Sequence, residues 1–259
     1  MQQTEIPYGQ GPLQRADFYL PVHPNQAAIV FVHGGGWFRG DKSREVALGQ
    51  TLAAAGYLVA IPNYRLAPAA LFPTAQEDLG AFLAWLAASP WAFDRSRVGL
   101  LGASAGGTMA LLQSQVSGQP VVAWSALVDF ADWLAHHRAV QPSPDAATAL
   151  GLHDPSAIHA AFYKYVVTTY LGTVTPPRLA ALTPQAGTDS ALGPALLFNS
   201  AAELVPLAGP KRFVARAQAA GHAVALQVVP GTAHARHYTD QALPATLAFF
   251  ARHLLAPNP

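Results

Sequence analysis

Short apolar runs alternate with longer segments of helical spacing along most of the chain. The apolar runs predict strands at residues 17–20, 28–32, 57–61, 98–102, 121–125, 195–199 and 223–229. Helical spacing predicts helices at residues 45–55, 73–88, 105–116, 211–220 and 244–255. Alternating strands and helices are typical of a mostly parallel sheet with helices on both faces. The pattern therefore predicts an α/β fold.

One long segment, residues 130–190, interrupts this alternation between two predicted strands. Its aromatic residues include Trp133, Phe162, Tyr163, Tyr165 and Tyr170. A structureless connection of this length is uncommon inside a compact domain. We therefore expect one domain over residues 1–259, with 130–190 as a mostly helical lid or cap insertion that forms one wall of a pocket. A surface excursion with no role in binding is the alternative.

Composition indicates a globular protein without cysteine chemistry. Hydrophobic residues make up 51% of the 259 residues and charged residues 11%, which is ample material for one large core. The 15 basic and 14 acidic residues are scattered and leave a net charge of +1, so we expect no nucleic-acid partner. The absence of cysteine excludes disulfides, zinc–thiolate sites and a cysteine nucleophile.

The ends and apolar runs of the chain carry no targeting pattern. The sequence MQQTEIPYGQG at the N-terminus lacks the basic start and apolar core of a signal peptide. No apolar stretch reaches about 18 residues without a charge or a Gly or Pro break, so we expect no membrane span. These features favour a cytoplasmic location.

The first candidate for chemistry is GASAG at residues 102–106, which has the form G-x-S-x-G with Ser104 at its centre. It lies between a predicted strand and a predicted helix. A nucleophilic serine on such a turn needs glycines on both sides, because the strand and the helix approach closely there. The position indicates a nucleophile at Ser104 rather than an ordinary turn of small residues.

The second candidate is HGGGW at residues 33–37, directly after the strand predicted at 28–32. Glycine backbone N–H groups can approach an oxyanion closely, because no side chain intervenes. A phosphate-binding loop would require a following G-K-[ST] or the spacing G-x-G-x-x-G, and neither is present. Trp37 is predicted to bind substrate at the pocket wall, with packing in the core as the alternative.

These two motifs occur about 70 residues apart and are accompanied by NYRLAP at residues 63–68, Phe72-Pro73 and Asp78. Together they resemble the HGGG-type esterases of the α/β-hydrolase superfamily, including hormone-sensitive-lipase-like and arylformamidase-like enzymes. The resemblance spans nearly the whole chain and is weakest at residues 130–190. It implies an α/β-hydrolase fold and a serine carboxylesterase.

The resemblance also implies which backbone groups form the oxyanion hole. The second and third glycines of the triplet, with the residue after the nucleophile, correspond to Gly35, Gly36 and Ala105. Gly34 is the alternative donor. Arg65 and Asp78 have a different interpretation, because we expect them to hold loops by ion pairing or hydrogen bonds.

His234 is the predicted general base. It follows the strand at 223–229 in the sequence PGTAH, which matches the family's G-x-x-H late in the chain. His237 is the rival, but it lacks a turn glycine at the corresponding distance. No carboxylate or cysteine follows these histidines at a ligand-like spacing, so we expect no metal.

The acid departs from the family pattern, which places an aspartate after the strand at 195–199. This chain has NSAAELVP at residues 199–206. Counting forward from the strand places Glu203 at the acid position, whereas counting back from Val205-Pro206 places Ala202 there. We predict that Glu203 orients His234, since glutamate can replace aspartate in this role. A serine–histidine dyad with Glu203 on the surface is the alternative.

These residues predict ester hydrolysis without a metal or organic cofactor. About 30 residues precede the glycine triplet and only one modest insertion follows, which favours a small pocket and small, short-acyl esters. Ala103 departs from the acidic residue that hormone-sensitive-lipase-like esterases often place before the serine, so the branch is open. An arylformamidase-like amidase would use the same groups on an amide. A non-catalytic binding protein is the alternative from a different class, because a fold does not fix a function.

Overall fold

The computed structural model describes residues 1–185 and 187–255 and contains one eight-stranded sheet. The strands are β1 (Gln2–Pro7), β2 (Arg15–Tyr19), β3 (Ala28–Val32), β4 (Leu58–Pro62), β5 (Val98–Ala103), β6 (Val121–Trp124), β7 (Ala195–Ser200) and β8 (Val224–Val229). Their order in the sheet is β1-β2-β4-β3-β5-β6-β7-β8. The pairs β1/β2 and β2/β4 are antiparallel and all other neighbours are parallel, so the predicted mostly parallel sheet is confirmed.

Helices connect the strands and cover the sheet. They are α1 (Val46–Ala54), α2 (Thr74–Ala88), α3 (Ala105–Ser117), α4 (Phe130–His136), α5 (Ala146–Ala149), α6 (Pro155–Leu171), α7 (Pro176–Leu182), α8 (Ala208–Ala219) and α9 (Thr239–Phe250). Short 3-10 turns occupy Lys42–Glu45 and Ala235–Tyr238, and a π-helical turn occupies Ala251–Leu255. Among the residues described, no helix is both long and apolar enough to cross a bilayer.

The central strands are buried on both faces. Every residue of β3 is buried, and Val30 and Ile29 belong to opposite hydrophobic clusters. Parallel strands with helices on both faces bury apolar side chains in both directions. Each buried Val or Ile contributes about 1.5–3 kcal/mol by leaving water. The centre of the sheet is therefore a rigid base for the loops that project from it.

The carboxyl ends of β3, β5, β6, β7 and β8 meet at one edge of the sheet, because these strands run parallel. The loops after these five strands carry the glycine triplet, Ser104, Ser125, Glu203 and His234, in that order. Loops at this edge are the usual place for ligand sites in open α/β sheets. Residues far apart in the sequence are thereby brought to one place.

Arg65 and Asp78 form an ion pair with each other, which confirms the prediction that they hold loops. The guanidinium donates to both carboxylate oxygens of Asp78 at 2.6–3.1 Å, and Gln14 donates to the same carboxylate at 2.8 Å. Asp78 lies on α2 and is 1% exposed. A buried carboxylate requires partners of this kind, and here they tie α2 to the loops after β1 and β4.

Two elements differ from the sequence-based expectation. β1 was not predicted, because its residues are mostly polar and exposed at the edge of the sheet. Helix α9 begins at Thr239 rather than at Pro244, which lies inside the helix. A proline favours the first turn of a helix, but this helix starts five residues earlier and buries Ala242 in the core.

Segment 130–190 contains α4, α5, α6 and α7, while Ala186 within it lies outside the described residues. Its buried aromatic side chains are those of Phe130, Trp133, Tyr163 and Tyr170. Each of them packs in the larger hydrophobic cluster, which also holds buried apolar residues of α2 and α3. The role of the segment as a lid or cap stays a prediction.

Candidate active site

Ser104 occupies a tight turn between β5 and α3. Its backbone has φ 53° and ψ −121°, a positive-φ conformation that non-glycine residues adopt rarely and at a cost of about 1–3 kcal/mol. A Cβ added at Gly102 would lie 2.2 Å from the carbonyl oxygen of Gly106, and one added at Gly106 would lie 2.1 Å from that of Val32. Only glycine fits at both positions, as the motif predicts.

The glycine triplet lies directly against this turn. A Cβ at Gly34 would lie 2.8 Å from the carbonyl oxygen of Ala103, and one at Gly35 would lie 1.9 Å from that of Arg39. Gly35 and Gly36 both have positive φ, 119° and 63°. The loop therefore depends on glycine for both its conformation and its contact with the serine turn.

The backbone N–H groups of Gly35, Gly36 and Ala105 are free to donate hydrogen bonds. Within the described part of the chain, none of the three has a hydrogen-bond acceptor. Ala105 is the first residue of α3, where N–H groups lack an intrahelical partner and the helix dipole favours negative charge. These three donors are available to an anion beside Ser104.

His33 supports the triplet from below. Its Nδ1 donates to the carbonyl of Gly34 at 2.8 Å, and its ring stacks on Tyr64 at 4.3 Å. The hydroxyl of Tyr64 donates to the His33 carbonyl at 2.9 Å. Burial lowers the pKa of His33 to about 4, so the imidazole is neutral at neutral pH. It acts as a fixed donor beneath the loop.

This buried imidazole predicts a loss of stability in mild acid. The unfolded chain binds a proton at His33 below pH 6.5, but the folded chain resists protonation until about pH 4. The contribution of His33 to the free energy of unfolding is therefore fully present above pH 6.5 and is lost as the pH drops toward 4. Between pH 7 and 5 we expect His33 alone to reduce the free energy of unfolding by about 2 kcal/mol.

Urea unfolding of the wild type and His33→Asn, measured from pH 7 to 5, tests this expectation. Asparagine retains an N–H donor of comparable length but does not titrate. The free energy of unfolding should fall less steeply with acid in the variant. Parallel pH dependences of the two proteins would contradict the assignment.

His234 and Glu203 are brought into direct contact. Nδ1 of His234 contacts Oε2 of Glu203. The Glu203 side chain is fully buried, while that of His234 is 25% exposed and reaches the same cavity as Ser104. The Ser104 hydroxyl and the His234 ring line this cavity together, although no hydrogen bond joins them.

Glu203 is held by two further donors on its other oxygen. Oε1 accepts hydrogen bonds from the hydroxyl of Ser125 and the backbone N–H of Ser200, both at 2.7 Å. Ser200 is the last residue of β7, so the Glu203 carboxylate turns back toward the strand that precedes it. With both oxygens engaged, Glu203 has one orientation toward His234.

Ser125 was not predicted from the sequence. It follows β6, is fully buried, and accepts a hydrogen bond from the N–H of Ala235 at 2.9 Å. Its hydroxyl also lies 2.7 Å from that of Tyr238, whose pKa is raised by burial. Because Ser125 gives its one proton to Glu203, it can only accept from Tyr238, whose hydroxyl also lies 3.2 Å from the carbonyl oxygen of Phe198. Ser125 thus links Glu203 to the loop that carries His234.

The rival residues are placed differently. His237 lines the same cavity and is exposed, but its ring has no carboxylate partner among the described residues. Asp189 and Asp240 are both exposed, and neither contacts His234. In the described ranges, no group of three or more His, Cys, Asp or Glu residues could hold a metal ion.

The cavity above Ser104 has a volume of about 280 Å³. Its walls include the glycine triplet, His234 and three residues of α6, namely Phe162, Tyr163 and Val166. Trp37 does not line it. The predicted contact of Trp37 with substrate is therefore not seen: its side chain is fully buried and stacks on Tyr170 at 4.7 Å. The positive φ of Trp37, 61°, turns the chain into the core after the triplet.

Comparison with known proteins identifies a family and several relatives. A family model described as alpha/beta hydrolase fold matches residues 29–238. The ethyl acetate hydrolase of Pseudomonas putida is 31% identical over 213 residues, which cover 80% of this chain and 65% of that protein. Carboxylesterase NlhH of Mycobacterium tuberculosis is 37% identical over 109 residues, covering 39% and 34%. The chain thus matches less than two thirds of the length of either relative.

Solved structures share the whole fold. An esterase from the bacterial hormone-sensitive lipase family superposes with a TM-score of 0.70 at 25% identity, covering 98% of this chain and 84% of that one. A truncated carbohydrate esterase from gut microbiota gives a TM-score of 0.75 at 19% identity, covering 99% and 97%. The predicted α/β-hydrolase fold is confirmed. Since the family model extends from β3 to the turn after His234, the chain belongs to the alpha/beta hydrolase fold family.

Proposed function

We propose that the chain is a serine carboxylesterase that hydrolyses small esters with short acyl groups. The observation that carries this proposal is the contact of His234 with the buried Glu203. His234 and Ser104 line the same cavity. A carboxylate, an imidazole and a hydroxyl arranged in this sequence form the triad of serine hydrolases. The names of the relatives, ethyl acetate hydrolase and carboxylesterase, agree with this activity.

The triad would move the serine proton to His234 and from there to the leaving alcohol. Glu203 accepts from Nδ1–H of His234 and so leaves Nε2 free to accept the proton of the Ser104 hydroxyl. The alkoxide attacks the ester carbonyl, and the C–O bond to the alcohol breaks as His234 returns the proton to it. Water then repeats the two steps on the acyl-enzyme and releases the acid.

The oxyanion of each tetrahedral intermediate would be bound by backbone groups. The unpartnered N–H groups of Gly35, Gly36 and Ala105 are suited to this role, and one such donor lowers the barrier by about 3–4 kcal/mol. They are held in advance by the packing of the triplet against the Ser104 turn. The chemistry proposed here uses side chains and backbone only and requires no metal or cofactor.

Segment 130–190 would act as the cap of this site. Its helix α6 supplies Phe162, Tyr163 and Val166 to the cavity wall. The cavity volume, about 280 Å³, lies at the lower limit of pockets that bind small molecules, about 300–1,000 Å³. A short acyl chain is favoured by a cavity of this size with aromatic walls.

A series of p-nitrophenyl esters from acetyl to dodecanoyl tests both activity and size. We expect kcat/KM to be highest for acetyl or butyryl and at least about 10-fold lower for dodecanoyl, since about 1.4 kcal/mol of lost fit suffices. Faster turnover of the dodecanoyl ester would contradict the short-acyl proposal. Faster cleavage of butyryl p-nitroanilide than of the butyryl ester would favour an amidase.

A further inference from the structure

Two arginines at the cavity have no ionic partner. Arg39 and Arg44 both line it and both are exposed. Within residues 1–185 and 187–255, no carboxylate lies within 4 Å of either guanidinium. The neighbouring cation Lys42, by contrast, pairs with Glu5 and with Asp17.

The acidic residues of the same cavity are already engaged. Glu45 pairs with Arg236, the third arginine of the lining. The two oxygens of Asp41 accept hydrogen bonds from the N–H of Ser43 at 2.8 Å and from the side-chain amide of Asn63 at 2.6 Å. The lining therefore has an excess of positive charge and free guanidinium donors.

Backbone and side-chain contacts hold Arg39 next to the glycine triplet. Its backbone N–H donates to the carbonyl of Gly35 at 3.1 Å, which closes the turn of the glycine triplet. Its guanidinium carbon lies 5.2 Å from the ring centroid of Phe38 and 5.5 Å from that of Phe162. Cation–π contacts of this kind hold the group over the aromatic wall and leave its N–H donors free.

We propose that the preferred substrates of this site are esters that carry a carboxylate a few atoms from the scissile carbonyl. This inference rests on the proposed esterase function. A guanidinium binds a carboxylate through two parallel charge-assisted hydrogen bonds, which neutral esters cannot accept with the same strength. Arg39 makes this contact, and Arg44 on the same lining adds longer-range attraction for the anion.

Three ethyl esters and two acetyl esters separate charge from size. Monoethyl glutarate carries a carboxylate on the acyl side, ethyl pentanoate has the same acyl length without charge, and diethyl glutarate is the neutral diester. Acetoxyacetate carries the charge on the alcohol side, and isobutyl acetate is its neutral match. In 50 mM salt we expect kcat/KM for one of the two anions to exceed that of its neutral match by about 10-fold, and this ratio to fall in 0.5 M salt.

Variants of Arg39 locate the effect. Arg39→Gln should lower the ratio of anionic to neutral kcat/KM about 10-fold, and Arg39→Lys should retain part of it because the charge remains. Arg138→Gln changes the net charge equally, but Arg138 is exposed and lines a different cavity, so the ratio should not change. An equal loss for anionic and neutral esters in Arg39→Gln would make Arg39 structural and overturn the proposal.

The two possible failures are distinguishable. If the wild type cleaves ethyl pentanoate but prefers neither anion, the carboxylate inference is wrong and the esterase proposal stands. If it cleaves none of these esters, neutral or anionic, and p-nitrophenyl butyrate is also untouched, the esterase proposal is wrong and this inference falls with it.

Discussion

Ser104→Ala is expected to lower kcat/KM for p-nitrophenyl butyrate by about 10⁴- to 10⁶-fold, as removal of the nucleophile does in serine hydrolases. The acyl-enzyme cannot form without the hydroxyl, so only the oxyanion donors and substrate binding remain. The fold should not suffer. The Ser104 side chain makes no capping hydrogen bond to α3, and alanine fits the same positive φ as readily as serine.

Labelling with a fluorophosphonate provides the second readout of this prediction. The phosphonate should add one covalent group to the wild type, mapped by mass spectrometry to Ser104, and none to Ser104→Ala. Ser117→Ala is the matched control, because Ser117 lies exposed at the far end of the same helix. Equal thermal unfolding of all three proteins shows that folding is intact. Turnover by Ser104→Ala within about 10-fold of wild type would reject Ser104 as nucleophile.

Pattern alone was sufficient where the physical constraint is local. The apolar run at 28–32 predicts β3 without error, because a strand buried on both faces leaves no polar position. The glycines of GASAG predict a turn that no other residue can make, and the clash distances at Gly102 and Gly106 give the reason. Strand β1 escaped prediction, because an exposed edge strand needs no apolar alternation.

Tertiary contacts were beyond the reach of the same reasoning. Trp37 follows the glycine triplet directly, yet its positive φ directs the ring into the core, where it stacks on Tyr170. Ser125 carried no sequence signal, since its bonds to Glu203 and Ala235 join loops 78 and 110 residues away. Residue spacing left two candidate positions for the acid, Ala202 and Glu203. The structure has Glu203 in contact with His234.

Glu203→Gln is expected to lower kcat/KM by about 10³- to 10⁴-fold with little change in fold. Glutamine retains the shape of the side chain, and its amide oxygen can still accept from Ser125 and Ser200. Its NH₂ group would then face Nδ1 of His234 and donate to it. The imidazole would carry its proton on Nε2 instead, where it cannot accept the proton of Ser104.

Graded variants distinguish an orienting carboxylate from a merely buried one. Glu203→Asp keeps the charge but is one methylene shorter, so it cannot reach His234 while keeping both donors on the other oxygen, and an intermediate loss is expected. Ser125→Ala should reduce kcat by about 10-fold and KM little, because it removes one of those donors without touching the cavity. Asp240→Asn, at an exposed carboxylate outside the network, should match the wild type.

The outcome for Glu203→Gln also decides between a triad and a dyad. A buried carboxylate with three partners could be a structural ion pair, and its loss would then reduce stability while turnover by the folded fraction stayed near wild type. Steady-state kinetics corrected for the folded fraction, measured by urea unfolding, separate these cases. Turnover within about 10-fold of wild type would assign the chemistry to Ser104 and His234 alone. A loss of 10³-fold or more in a fully folded variant would show that a glutamate here does the work that the family usually gives to aspartate.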